Sequence, residues 1–238
     1  MANPYFRFKQ FTVQHDRCAM KVTTDACLFG AWTASHLQSM HASNLLDIGT
    51  GTGLLALMIA QKNAMNIDAV ELDKEAAGQA AENISLSPWD NNIHIIATDI
   101  LQFDPAKKYD AVISNPPFYE NELAGHDAGR NRAHHSSDLT LVQVIGQLNL
   151  RIVDDGAFFL LLPFKRRREA ETLLASKGLF IEELVTVHPL AGAAPFRIMI
   201  RGGRKETGRQ ETQIDIRTSG DAYTQDFIAL LKDYYLYL

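Results

Sequence analysis

Asn44-Leu-Leu-Asp-Ile-Gly-Thr-Gly-Thr-Gly53, running into Leu54-Leu-Ala-Leu-Met-Ile-Ala-Gln61, sets the reading of the whole chain. A short apolar run suits a strand buried on both faces of a parallel sheet, and the glycines that end it let the backbone turn tightly into a helix. Outward from this unit the pattern repeats. Residues 67–71, 93–97, 109–114 and 157–162 read as further strands, with helices over 74–86, 139–150 and 165–176. Residues 179–187, 196–201 and 212–217 give three more strand candidates. Alternating β and α units joined by crossovers predict an α/β fold with a doubly wound, mainly parallel sheet, in which ligands bind beyond the carboxyl ends of the strands.

The composition agrees with a globular chain. Its 238 residues are 46% hydrophobic and 21% charged, which excludes disorder and a disulfide-built miniprotein. A net charge of -5 argues against coating nucleic acid by bulk electrostatics but leaves room for a local basic face. Cys18 and Cys27 lack metal-ligand spacing and read as reduced packing residues, so no metal is expected. Met1 to Lys9 has no signal-peptide pattern, and the longest apolar run, 157–164, is far short of the roughly 18 residues of a membrane span. A cytoplasmic, monomeric protein with no membrane partner is expected. No low-complexity linker divides it, so residues 1–238 are expected to form a single domain: 1–40 as an N-terminal cap or hairpin and helix, 41–238 as a Rossmann-like core.

The glycine register narrows the ligand. A dinucleotide fingerprint places its third glycine three residues after the second, but position 54 is Leu54 and the third glycine is Gly53. A P-loop is disfavoured too, because no Lys-Ser or Lys-Thr ends the turn. Asp47, just ahead of Gly49, Thr50 and Gly51, would repel a pyrophosphate and attract a cationic amine such as that of S-adenosyl-L-methionine. Glu71 follows at the end of the next strand, at the distance where a carboxylate can accept from both ribose hydroxyls. Asp99 lies beyond the third strand, within reach of an adenine amino group; the neighbouring Leu72 and Ile100 complete the expected cofactor contacts. As isolated residues Asp47 and Asp99 would read as caps or turns. Three acids in this order behind a glycine loop favour a site.

Asn115-Pro116-Pro117-Phe118 ends the fourth strand. Two prolines stiffen the backbone and remove two N–H donors, leaving carbonyl acceptors held in place. Accepting both hydrogens of a conjugated amino group, one at the Asn115 side-chain oxygen and one at the Pro116 carbonyl, would aim the nitrogen lone pair at an electrophile. Phe118 would stack on a flipped-out base. Asn115 also borders the expected cofactor position.

With these residues the sequence resembles the class I S-adenosylmethionine-dependent methyltransferases that methylate amino groups, and more narrowly the bacterial tRNA1(Val) (adenine(37)-N6)-methyltransferase family. The narrower resemblance rests on Phe8-Lys-Gln-Phe-Thr-Val13, on Met20-Lys-Val-Thr-Thr-Asp-Ala-Cys-Leu-Phe-Gly-Ala-Trp32 and on the ending Tyr223 to Leu236. It implies a seven-stranded sheet with one reversed strand near the edge, a tRNA partner, and methyl transfer to N6 of an anticodon-loop adenine. The same Asn-Pro-Pro corner also serves glutamine N5 methylation of release factors and guanine N2 methylation of ribosomal RNA. A noncatalytic scaffold binding S-adenosylmethionine or RNA is a rival that the intact acids, glycines and Asn115 oppose.

RNA contact needs positive charge, and Arg7, Lys9, Arg130 and Arg132 are the expected contacts; Phe6, Phe8 and Phe11 interleave with the first two in a way that suits stacking. The clusters 165–168 and 201–209 are secondary candidates, the latter as a loop. Thr24 and Asp25 are expected to cap a helix over 26–37. His126, His134 and His135 receive no role.

Overall fold

The computed structural model describes residues 3–116 and 139–238. A hairpin of β1 (Tyr5–Arg7) and β2 (Thr12–Gln14) leads into helix α1 (Thr24–Gln38). Then β3 (Asn44–Ile48), α2 (Leu54–Ala60), β4 (Asn66–Glu71), α3 (Lys74–Ser85), β5 (Ile93–Ala97) and β6 (Tyr109–Ser114) follow. Beyond residue 138 come α4 (Leu141–Arg151), β7 (Ile152–Pro163), α5 (Arg167–Ser176), β8 (Phe180–Leu190), β9 (Arg197–Gly203), β10 (Gln210–Arg217) and α6 (Gln225–Leu231).

The large sheet has the order β10-β8-β9-β7-β6-β3-β4-β5, and only β9 runs antiparallel to its neighbours. The seven strands of the expected arrangement are present, and β10 adds an eighth by pairing in parallel with β8 at the edge. From β3 the chain moves outward through β4 to β5, then returns to β6 on the other side of β3 and moves outward through β7. Right-handed crossovers in opposite directions must put their helices on opposite faces. One core accordingly holds Phe29, Leu57 and Phe227 of α1, α2 and α6, and the other holds Leu148 and Leu174 of α4 and α5. The switch point lies between β3 and β6, where the register sets Ile48 beside Ser114. Ser114 Oγ donates to the Ile48 carbonyl at 2.9 Å and ties the two strand ends together.

Two local expectations change. The cap of α1 is Thr23, whose hydroxyl accepts from the Ala26 N–H, one residue ahead of the expected Thr24-Asp25 pair. Asp25 lies inside the first turn and accepts from Arg197 Nε at 2.7 Å, a tertiary partner that local spacing could not reveal. The strand expected over 157–162 extends over Ile152–Pro163. Among the described residues no helix is long and apolar enough to cross a membrane.

Candidate active site

Gly49, Gly51 and Gly53 have φ of 72°, 56° and 79°, the left-handed region that side chains with a Cβ enter only at a cost. A Cβ added at Gly49 or Gly51 would meet no atom within 4 Å, so these two turn bare backbone toward open space. At Gly53 the added atom would stand 3.4 Å from Ile84 and 3.5 Å from Ala80, so this glycine lets α3 pack closely. The loop is anchored from beneath. Gly49 and Thr50 donate their N–H groups to the Val70 carbonyl, and the Asn83 amide on α3 donates to Thr52 O and to Gln14 O of the hairpin. Asn83 is a polar side chain on the buried face of an amphipathic helix, the signal by which sequence alone could have found it.

Asp47 is fully buried. Its Oδ2 accepts from Thr50 Oγ1 at 2.6 Å, while Oδ1 is buried with no partner. Burial, which disfavours the charged form, pushes its pKa up to about 7; the Thr50 hydrogen bond opposes the rise and the Glu71 charge adds to it. An unpaired buried acceptor is costly unless a donor arrives. Glu71 bridges two elements instead of standing free: Oε2 accepts from the Gly51 N–H at 2.8 Å and Oε1 from the Asp73 N–H at 2.9 Å. Each oxygen keeps acceptor capacity for a hydroxyl. Asp99 makes the turn expected of an isolated aspartate, accepting from the Leu101 N–H through Oδ1. Leu72 stands exposed beside Glu71, whereas Ile100 is buried in the core beneath the strand ends.

Asn115 is half-buried and Pro116 buried at the end of β6, next to the glycine loop on β3. Pro117, Phe118, Arg130 and Arg132 lie outside the described residues, as do His126, His134 and His135. The acids, the open glycine backbone and Asn115 therefore stand at the carboxyl ends of neighbouring parallel strands, although 44 to 68 residues of chain separate Asn115 from Glu71 and Asp47.

Residues 31–150 match the family model of the methyltransferase small domain. The chain is 36% identical over 239 residues to the tRNA1(Val) (adenine(37)-N6)-methyltransferase of Parabacteroides distasonis, covering 99% of both proteins. The protein of that name from Photorhabdus laumondii is 40% identical over 236 residues, covering 98% of this chain and 95% of the relative. The chain belongs to this family. Among solved structures, a predicted O-methyltransferase from Agrobacterium tumefaciens superposes with a TM-score of 0.66 at 18% identity, covering 88% of this chain and 96% of that one. The ribosomal protein L11 methylase of Lactobacillus delbrueckii gives 0.57 at 20% identity over 82% and 84%. These likenesses concern the fold.

Within this methyltransferase the basic residues divide. Arg7 is exposed and makes no ion pair among the described residues. Lys9 turns its ammonium to the carbonyls of Lys232 and Leu238, which fastens the carboxyl-terminal segment to the hairpin. Phe8 and Phe11 are buried and stacked at 4.4 Å, and Phe6 packs on Tyr235 at 5.4 Å. The expectation that this aromatic run stacks on RNA is thus corrected: the rings build the core between the two chain termini. The 201–209 cluster is corrected as well. Because β9 runs backwards, it delivers these residues to the end of the sheet opposite the glycine loop, where Arg209 pairs with Glu171 and Glu211.

Proposed function

We propose that this chain transfers a methyl group from S-adenosyl-L-methionine to N6 of an adenine in tRNA, the adenine being position 37 of tRNA1(Val). The observation that carries this reading is the adjacency of β3 and β6, which sets the glycine loop of one beside Asn115 of the other. The residues fit the methyl donor. Asp47 Oδ1, buried without a partner, is assigned the cationic amine, which reaches it when the loop in front shifts; the bare backbone at Gly49 and Gly51 admits a close approach, and Glu71, Leu72 and Asp99 stand at the strand ends assigned to ribose and adenine. When bound, S-adenosylmethionine supplies an electrophilic methyl group on a sulfonium.

The chain's own work is to position the acceptor. An exocyclic amino nitrogen is a weak nucleophile because its lone pair is delocalised into the ring. Asn115 Oδ1 and the Pro116 carbonyl accept its two hydrogens, favour a pyramidal nitrogen, and stabilise the positive charge that develops there. The proton then leaves to water, so no side-chain base is required. Pro117 and Phe118 complete the corner in this reading, with Phe118 stacked on the base. Arg7, Arg130 and Arg132 supply RNA contact. A single methyltransferase domain working as a cytoplasmic monomer is proposed.

The test is incubation of the purified protein and isotope-labelled S-adenosylmethionine with total tRNA from a strain lacking the gene, followed by nucleoside mass spectrometry. Labelled N6-methyladenosine is expected, and an oligonucleotide digest of purified tRNA1(Val) should carry it at adenine 37. Label on guanine N2, or no label in the tRNA, would refute the reading.

A further inference from the structure

Between β2 and α1 the chain crosses the carboxyl edge of the sheet as a strap without regular secondary structure over residues 15–23. Both ends of the strap are tied. Asp16 accepts from the Gln79 side chain on α3 and the Arg17 N–H donates to Gln79 Oε1, while Val22 donates its N–H to His15 Nδ1 and Thr23 caps α1. Between these anchors Met20 reaches the catalytic corner: its Sδ lies 3.8 Å from Asn115 Nδ2. Met20 is 40% exposed, so burial of its side chain is not what holds it there.

The contact has a direction. A primary amide offers an acceptor at one end and two donors at the other, and only the acceptor end can serve an incoming amino group, which is itself a donor. A thioether has lone pairs and no proton to give, so it pairs with the N–H end alone. We propose that Met20 is a positioning residue for methyl transfer: its thioether accepts from the Asn115 amide and thereby turns the Asn115 carbonyl toward the target's amino group. This role rests on the function assigned to Asn115 above. Leucine would fill a similar volume but accept nothing, leaving the amide free to present either end.

The test compares Met20→Leu with Met20→Gln, whose Oε1 is a stronger acceptor of similar reach. Turnover on unmodified tRNA, KM for tRNA and calorimetric affinity for S-adenosylmethionine are measured for each. The Asn115 side-chain amide resonances are also followed in ligand-free protein labelled with [15N]asparagine and assigned by their loss in Asn115→Asp. Met20→Leu is expected to lower kcat about threefold to tenfold, the worth of a weak hydrogen bond, with KM and cofactor affinity within about twofold of wild type. It should shift the Asn115 resonances while leaving those of the other asparagines in place. Met20→Gln should recover most of the lost kcat. Full turnover in Met20→Leu, equal loss in both variants, or unmoved Asn115 resonances would overturn the role while the assigned reaction stands. A wild-type protein that makes no N6-methyladenosine overturns the function of Asn115 and the role of Met20 together.

Discussion

Replacing Asp47 by asparagine removes one charge from a site that water does not reach, at nearly constant shape. In the folded, ligand-free protein the Asp47 carboxyl has a pKa raised from 3.8 to about 7, first by burial and further by the Glu71 charge, against the lowering effect of the Thr50 hydrogen bond. Between about pH 4 and pH 7 the folded protein therefore holds a proton that the unfolded chain has released, and stability falls as pH rises through that window. Above pH 7 the charged form is imposed on the buried site. The penalty is then about 4 kcal/mol, taken at 1.4 kcal/mol per pH unit. The neutral amide of the Asp47→Asn variant carries no such penalty. Urea unfolding of ligand-free wild type and Asp47→Asn across pH 4.5 to 8 isolates it, because the other titrating groups cancel in the difference. The variant is expected to be more stable by about 1 kcal/mol at pH 4.5, the difference growing to roughly 4 kcal/mol at pH 8.

Binding runs the other way. A cationic amine at Oδ1 needs the carboxylate, so wild-type affinity for S-adenosylmethionine should fall as pH drops below 7, with a proton released on binding. The variant should bind about 10- to 100-fold more weakly at pH 8, the range of a charged hydrogen bond. Its affinity should no longer vary with pH through this group. Calorimetry in two buffers of different ionisation enthalpy reads the proton directly. Parallel stability profiles for the two proteins, or unchanged cofactor affinity in Asp47→Asn, would refute the reasoning.

Asn115→Ala should keep cofactor affinity and lose about 100-fold or more in turnover, as for other oriented polar groups at a reacting centre; isothermal calorimetry beside a methyl-transfer assay separates the two. Gly51→Ala introduces a Cβ with no atom within 4 Å but at φ 56°. A loss of about 1 kcal/mol in unfolding free energy is expected, together with a larger fall in cofactor affinity, since the added methyl occupies the space in front of the loop. Lys9→Ala should lower the melting temperature by releasing the Lys232 and Leu238 carbonyls and leave tRNA affinity near wild type. Arg7→Ala should leave the melting temperature alone, weaken tRNA binding and reduce its salt dependence by about one ion, as measured by filter binding at several salt concentrations.

What was legible in the sequence is what neighbouring residues decide together. The apolar run 44–48 and its three glycines specify a buried strand and a left-handed turn whatever lies around them, because positive φ is a property of single residues. Asn115-Pro116 likewise announces a strand end with fixed acceptors, and the alternation of strands with helices narrows the topology to a doubly wound sheet. Side-chain partners were not legible, since a pairing across 172 residues such as Arg197 with Asp25 leaves no trace in local spacing. The same holds for Lys9, whose charge suggested RNA until the folded chain brought the carbonyls of Lys232 and Leu238 to it.

The sequence by itself determined the parallel architecture, the loop and the acids at successive strand tips, because these follow from short-range backbone preference and hydrophobic period. Only the tertiary structure decided that β3 and β6 lie side by side, that Asp47 is sealed from water with one oxygen unpaired, and that the strap lays Met20 on Asn115. Those outcomes depend on the packing of the whole sheet and both helical layers at once, a sum over distant contacts that no stretch of sequence contains.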